Sequence, residues 1–580
     1  MPYDPRLFEV HFDSVCQLSI HSHNHSALEI WATRLWRFFP LLWVLSYFLC
    51  NDRRMIVRIL TIFLIIALIS PVTAQENGDA GDWWKHIEFL ASDQLEGRET
   101  SSEGYRKAAE YVAGFFKRAG LKPGGTNGYF QPIKFISRRI LEDQCSLALI
   151  GEGKEYPLVL GDDATISMSI KHPESIEAPI VFAGYGLTVP EMNYDDLKGL
   201  NLRGKVALVL TGGPANISGP VRAHYQNNRW TALRSTGAIG VISIQSPIGQ
   251  DIPWERSKLS RFRPSLSLAA SGAEENSGQQ LAVTVNPARA DKFFVGSGRT
   301  LQEVLALAEA GEQLPRFNLP LSVRAKVKFE SRNIESHNVV GILPGTDPQL
   351  KNEYLVLSAH LDHIGKGQPI NGDSIYNGAM DNASGIATMI ETALALKKKN
   401  QQFRRSVIFL AVTAEENGLL GSRYFAAHPT VPADSIVANI NIDMFLPLFP
   451  FHSLIVQGLE ESNLAEDLQS VGARLGLKIL TDPEPERRAF VRSDQYSFIT
   501  RGVPSVSLKV GFEKGSAEHE IIKRWRKEHY HAPSDDLRQP VDLQAAAGFN
   551  RAYALLVEVV ANRSKHPQWN NESFFKRFAH

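Results

Sequence analysis

With 580 residues the chain is long enough for two domains, and its charges balance: Lys plus Arg and Asp plus Glu each total 62. A net charge of zero implies no general attraction to nucleic acid. The cysteines are Cys16, Cys50 and Cys145 alone, which excludes a disulfide-built fold; a chain of this size can bury a large core without one.

The amino terminus is the least ordinary stretch. Met55-Ile-Val-Arg58 precedes an almost wholly apolar run from Ile59 to Ile69, followed by Pro71-Val-Thr-Ala74. A charged start, an apolar run short for a membrane span and a small-residue site describe an export signal over residues 55–74, cleaved after Ala74. Residues 1–54 are then expected to be an upstream leader, with Met55 as the true start. In the alternative, the apolar run Phe38 to Cys50 is retained and the two segments anchor the protein to a membrane. The expected location is periplasmic or extracellular. His21-Ser-His-Asn-His25 could hold a metal weakly, but inside such a leader it is read as ordinary sequence.

Past the signal, residues 83–121 read as two helices. Ile87, Leu90 and Leu95, then Ala108, Tyr111, Val112, Phe115 and Phe116, fall at helical spacing and form a packing face. From about 143 to 320 the texture changes to short β-rich runs split by Gly and Pro. No chemistry is assigned to it. Beyond residue 321, strand-like runs such as Asn338-Val-Val-Gly-Ile-Leu343 alternate with helical patterns at Gly385 to Lys399 and Ser462 to Gly476. Such alternation implies a mostly parallel sheet covered on both faces, an α/β three-layer sandwich, here with a β-rich insert. The expected segments are 75–142 and 321–565 for the catalytic domain, 143–320 for the insert and 566–580 for a tail. That tail, with Trp569, Phe574, Phe575 and Phe578, either packs on the core or frays.

Five acid and imidazole residues mark the ends of apolar runs in the second half. They are His360 in Ser-Ala-His-Leu-Asp-His, Asp381 in Met-Asp-Asn-Ala-Ser-Gly, Glu416 in Thr-Ala-Glu-Glu-Asn-Gly, Asp443 in Asn-Ile-Asp-Met and His531 in Tyr-His-Ala-Pro-Ser-Asp-Asp. Each has an ordinary reading by itself. His360-Leu-Asp362 could be a surface turn, Glu415-Glu416 a solvated helix face and Asp381 a helix N-cap. But Glu415-Glu416 follows Val-Ile-Phe-Leu-Ala-Val, the mouth of a buried strand, where unpaired charge is costly. In open α/β sheets ligands gather beyond the carboxyl ends of strands, where residues distant in sequence meet. Imidazole and carboxylate without thiolate suit zinc, and the extra carboxylate allows one ligand to bridge two ions. The joint pattern decides for metal.

This order resembles the M28 family of metallopeptidases, the zinc aminopeptidases, over nearly all of the chain after residue 82. The resemblance implies two Zn2+ per chain: His360 and Asp443 on one, Glu416 and His531 on the other, and Asp381 bridging. It implies Glu415 as general base, Asp362 orienting His360 from behind, and Tyr530 hydrogen-bonding the tetrahedral intermediate. It also implies a cis peptide at Asp381-Asn382. Leu90-Ala-Ser-Asp-Gln-Leu-Glu-Gly-Arg98 and Gly120-Leu-Lys-Pro-Gly-Gly125 resemble the opening of M28 peptidases that carry an inserted domain. Ala178-Pro-Ile-Val-Phe-Ala-Gly-Tyr-Gly186, Tyr194-Asp-Asp-Leu-Lys-Gly199, Leu202-Arg-Gly-Lys-Val-Ala-Leu-Val-Leu210 and Gly237-Ala-Ile-Gly-Val-Ile-Ser243 together resemble a protease-associated (PA) domain. The implied activity is exopeptidase, foremost aminopeptidase, on peptide or protein substrates. Glutaminyl cyclisation or carboxypeptidase action on the same scaffold, and a catalytically inactive receptor-like protein, are the alternatives.

Some features depart from the pattern. The stretch from Gly365 to Ser374 is a longer loop than in compact members and is expected to rim the site. Gln495 stands where many relatives carry histidine and is not read as a ligand; His363 is read as a loop histidine. Mass spectrometry of the native protein should find Gln75 as the first residue. Any peptide from residues 1–54 would refute the leader reading.

Overall fold

The computed structural model describes residues 81–246, 252–269 and 276–579. The expected leader and export signal, residues 1–54 and 55–74, lie outside them. Among the described residues, no helix is long and apolar enough to cross a membrane.

The larger sheet contains β1 (Phe130–Ile140), β2 (Ser265–Leu268), β3 (Phe329–Leu343), β4 (Tyr354–His360), β5 (Ser406–Val412), β6 (Ile436–Ile442), β7 (Ser453–Gln457), β8 (Lys478–Leu480) and β9 (Ser505–Val510). Their order is β2-β1-β3-β5-β4-β6-β9-β7-β8, and the short Lys122–Pro123 strand adds to β3. The four central strands, β5-β4-β6-β9, run parallel. On either side β3 and β7 pair antiparallel with β5 and β9. Parallelism thus holds at the centre of a mixed sheet.

Side-chain alternation explains why these runs are continuously apolar. In β5, Val407, Phe409 and Ala411 face one core, whereas Ile408, Leu410 and Val412 face another. The first core is covered by α1 (Glu103–Arg118), α2 (Ser384–Lys398) and the long carboxyl-terminal helix Leu543–Asn562, through Val112, Phe116, Ile386, Ile390, Phe549 and Tyr553. The second is covered by α3 (Leu420–Ala427) and α4 (Gln495–Ile499), through Phe425 and Phe498. Each fully buried side chain of this kind contributes roughly 1.5–3 kcal/mol.

Residues Ser146 to Lys326 supply a second, eight-stranded sheet with a separate core. Its middle strands Ser175–Ala183, Val206–Leu210, Gly240–Ile244 and Leu281–Val285 are parallel. Both its faces are apolar: Ile180 and Phe182 point one way, Val181 and Ala183 the other. One piece of this stretch leaves it, for β2 pairs with β1 in the larger sheet.

The stretch read as a loop beyond His360 is a hairpin, Gly365–Ile370 against Asp373–Tyr376. Its turn is Asn371-Gly372, both at positive φ, the Asn-Gly chemistry that matches strand twist. The tail packs rather than frays. Phe575 and Trp569 are buried with Phe490, Ile499 and Ala223, a residue of the smaller sheet's helix Gly219–Asn227, and Trp569 Nε1 donates to the Gly502 carbonyl at 2.7 Å. Phe575→Ala should therefore cost roughly 3–5 kcal/mol of stability, read by urea unfolding.

Candidate functional site

Parallel neighbours in register bring their carboxyl ends level. His360, the last residue of β4, pairs with Val412, the last of β5, and Ser358 pairs with Asn441 of β6. Glu415 and Glu416 follow β5, and Asp443 follows β6 directly, so all reach the same edge of the sheet. Left-handed backbone aims two of these groups: Ala414 (φ 55°) precedes Glu415 and Met444 (φ 53°) follows Asp443. His531 itself has φ 54°. Such conformations cost free energy in non-glycine residues and cluster where a site over-determines the chain. Asp381 sits in an irregular turn, Ala379–Ala383, at the start of α2, and its peptide to Asn382 is cis.

The five side chains converge. His360 Nε2 lies 3.2 Å from Asp381 Oδ1 and 3.5 Å from Asp443 Oδ1. On the other side, His531 Nε2 lies 3.3 Å from Asp381 Oδ2 and 3.1 Å from Glu416 Oε2. Asp381 thus faces two groups, one through each carboxylate oxygen. His363 enters as a sixth member, its Nδ1 2.7 Å from Glu416 Oε1 and 3.9 Å from Asp381 Oδ2. The loop reading of His363 missed this because the chain beyond β4 turns inward. The signal was present in the immediate sequence His360-Leu-Asp-His363.

Not every polar atom of the cluster is satisfied within it. Asp443 Oδ1, Glu416 Oε1 and both ring nitrogens of His363 are buried without a hydrogen-bond partner. Buried polar atoms are rarely left so. Two sets, His360–Asp381–Asp443 and His363–Asp381–Glu416, have donor atoms all within 4.8 Å of one another, the arrangement a divalent cation would satisfy. Nitrogen and oxygen donors without sulfur fit zinc.

The electrostatics match. Burial alone would lower the His360 pKa, but Glu415, Asp381 and Asp443 hold it well above its ordinary value. His531 is likewise raised to about 9 against burial, by Glu416 and Asp381. Glu416 is held well below the carboxylate range although burial opposes this, because His531 and His363 flank it. Its neighbour goes the other way: burial, then Asp443 and Asp494, push Glu415 well up. The two adjacent carboxyl groups thus have proton affinities driven apart by their surroundings. Burial also raises the Tyr530 hydroxyl, leaving it a neutral donor.

A second layer of contacts holds the cluster. Asp362 was expected to orient His360, and its main-chain carbonyl faces His360 Nδ1 at 3.1 Å. The Asp362 carboxylate accepts the amides of Glu415 (3.1 Å) and Glu416 (3.3 Å), fixing the pair that follows β5. Asp535 accepts the amides of Met380 and Asp381 at 2.9 and 3.0 Å. Arg98, fully buried, donates to the carbonyls of Leu90, Leu361, Asn377 and Gly378. Two of these flank His360 and the Asp381 turn, so a residue some 260 positions upstream clamps both. Gly378 must lack a side chain: a Cβ would lie 2.2 Å from the Asp381 carbonyl and 2.5 Å from the His363 ring. Gln495 serves packing, its Oε1 accepting from Asn441 at 2.8 Å. None of Arg98, Asp535 or Asp362's amide contacts was legible from residue type.

A cavity of about 730 Å³ opens over the cluster, lined by His360, Asp381, Glu415, Glu416, Asp443, Tyr530 and His531. From the smaller-sheet segment, His224, Asn227 and Asn228 line it too. His224 Nδ1 meets the hydroxyl of Tyr496 at 2.8 Å, joining that segment to the rim.

The model of peptidase family M28 matches residues 338–557, which include all five converging side chains. Over 332 residues the chain is 29% identical to a probable leucine aminopeptidase 2 of Aspergillus oryzae, covering 54% of this chain and 62% of that protein. Leupeptin-inactivating enzyme 1 of Streptomyces exfoliatus is 29% identical over 184 residues, 32% of this chain and 38% of that one. The chain thus spans less than two thirds of the length of these curated relatives. The solved structure of an aminopeptidase from Aneurinibacillus sp. strain AM-1 aligns with a TM-score of 0.51 at 21% identity, covering 85% of this chain and 98% of that one. It shares the fold.

Removing the buried guanidinium should expose how much the cluster depends on it. Arg98→Met leaves four carbonyls without their donor, at roughly 1–3 kcal/mol for each that stays dry. The variant is expected to melt several degrees lower and to retain less metal after dialysis, read by calorimetry and elemental analysis.

Proposed function

With residues 338–557 as a peptidase family M28 domain, we propose that the protein is a metal-dependent exopeptidase, an aminopeptidase releasing residues from the amino end of peptides. The observation that carries this reading is Asp381, which presents one carboxylate oxygen to each of two histidine–carboxylate groups. His360 and Asp443 would hold one zinc ion, Glu416 and His531 a second, and Asp381 would bridge them. His363 is a further donor within reach of the second group. Two zinc ions in such a site lower the pKa of a shared water towards neutrality and polarise the scissile carbonyl.

The remaining steps belong to the chain's own side chains. Glu415 is in neither donor group yet lines the same cavity. Its carboxylate takes the proton of the attacking water and passes it to the leaving amine. Burial and neighbouring carboxylates favour its protonated form, and divalent charge in the cluster acts against that shift. The neutral Tyr530 hydroxyl donates to the oxygen on which negative charge develops. Asp362 holds Glu415 in place through its amide.

Sharing of Asp381 between two groups favours two ions over the one-ion chemistry of a cyclase. The relative from Aspergillus oryzae is named an aminopeptidase, which supports amino-end over carboxyl-end cleavage. The full set of donors, with Glu415 beside it, speaks against an inactive receptor. The 143–320 segment, which resembles a PA domain, would help select substrates, since His224, Asn227 and Asn228 line the cavity. Export through residues 55–74 remains part of this reading.

Glu415→Gln keeps the shape of the side chain but removes its ability to accept a proton. The variant should bind zinc as the parent does while hydrolysis of aminoacyl-p-nitroanilides falls about 10²–10⁴-fold. Near-normal turnover would remove Glu415 from the mechanism, and a parent protein that binds no metal would sink the reading altogether.

A further inference from the structure

The inserted stretch reaches the donor cluster from behind as well as from the cavity rim. Trp254–Ser257 is one helical turn and Lys258–Phe262 a 3-10 turn, after which the chain enters the larger sheet as β2. This strap is rooted beside the smaller sheet, where Trp254 Nε1 donates to the Gly161 carbonyl at 2.9 Å, just before the strand Ala164–Ile166.

Its other contacts touch both limbs of the second donor group. Arg256 directs Nη1 to the Lys527 carbonyl at 2.7 Å and Nη2 to the Arg526 carbonyl at 3.0 Å. These carbonyls belong to the last turn of the helix Ala517–Glu528. Carbonyls there lack partners within the helix, and its dipole favours a cation at that end. Tyr530 and His531 follow almost at once. Further along the strap, Leu266 N donates to Asn417 Oδ1 at 3.2 Å, and Asn417 is the residue after Glu416. Arg256, Phe262 and Arg263 also share with His531 the lining of a small cavity of about 280 Å³.

His531 is the donor most in need of such support. Its side chain is 23% exposed, against 16% for Asp443 and 4% or less for His360, Asp381 and Glu416. Its backbone is left-handed at φ 54°, a conformation that persists only where the surroundings hold it. A guanidinium suits the task, since its planar fork meets two carbonyls in fixed directions.

Resting on the aminopeptidase reading, we infer that Arg256 is a positioning residue. It fixes the helix end that presents Tyr530 and His531, so the inserted stretch completes the metal centre.

The test follows zinc retention and Leu-p-nitroanilide turnover in the full chain for Arg256→Met and Arg256→Gln. Arg256→Met should give up zinc at about tenfold lower chelator concentration than the parent, read by elemental analysis. Its kcat should fall about tenfold with little change in KM, and added zinc should restore most of the rate. Arg256→Gln, which can still donate to one carbonyl, should lose less and decides the matter where Arg256→Met does not fold. Arg256→Lys, which keeps the cation, should recover part of both properties. A lower melting temperature with parental zinc retention and parental kcat would reduce Arg256 to a packing contact and overturn the inference, leaving the aminopeptidase reading intact. A parent chain that holds no zinc or cleaves nothing would overturn both.

Discussion

Four carboxylates, Asp381, Glu415, Glu416 and Asp443, meet in one largely buried place, and the rest of the molecule is arranged around the cost of that meeting. Like charges at this separation in a poorly hydrated site are strongly unfavourable unless positive charge joins them. Three histidines sit among them, and two have proton affinities driven up by the crowding. Even so, Asp443 Oδ1, Glu416 Oε1 and both ring nitrogens of His363 are left without a hydrogen-bond partner. A cluster of this kind is a candidate cation site on its donor chemistry alone, before any family is considered.

Holding such a cluster together requires rigid neighbours. Parallel strands supply the first level of order, since matched register carries His360, the Glu415–Glu416 pair and Asp443 to one edge. Main-chain contacts supply the second: amides to Asp362 and Asp535, carbonyls to Arg98. Arg98 is the clearest case of a charged side chain used as a structural clamp. Burial lowers its pKa to about 10, and nearby Asp535, Asp362 and Asp381 oppose that loss. It also ties the amino-terminal helices to the unit that carries the cluster although the metal-ligand candidates lie so far downstream.

The smaller sheet adds walls rather than chemistry. It contributes His224 and its neighbours to the rim of the cavity over the cluster, and Ser169 to Lys171, Asn276 and Gly278 to Gln280 to a second cavity. The carboxyl-terminal Phe575 and Trp569 wedge between its helix and α4, linking the two sheets through an apolar cluster.

From the residue string alone came the layered α/β architecture, because alternation of buried strands and amphipathic helices leaves a periodic trace. So did the five converging residues, since each ends an apolar run at a position where charge is expensive. The Asn371-Gly372 hairpin was legible in principle and was passed over as loop. What the string did not carry were contacts that use main-chain atoms, which any residue type can offer. The clamp of Arg98, the amide holds of Asp362 and Asp535, and the inward turn that buries His363 all belong to this class. Only tertiary packing decided them, for a carbonyl becomes a partner through where the backbone passes and not through which side chain it bears.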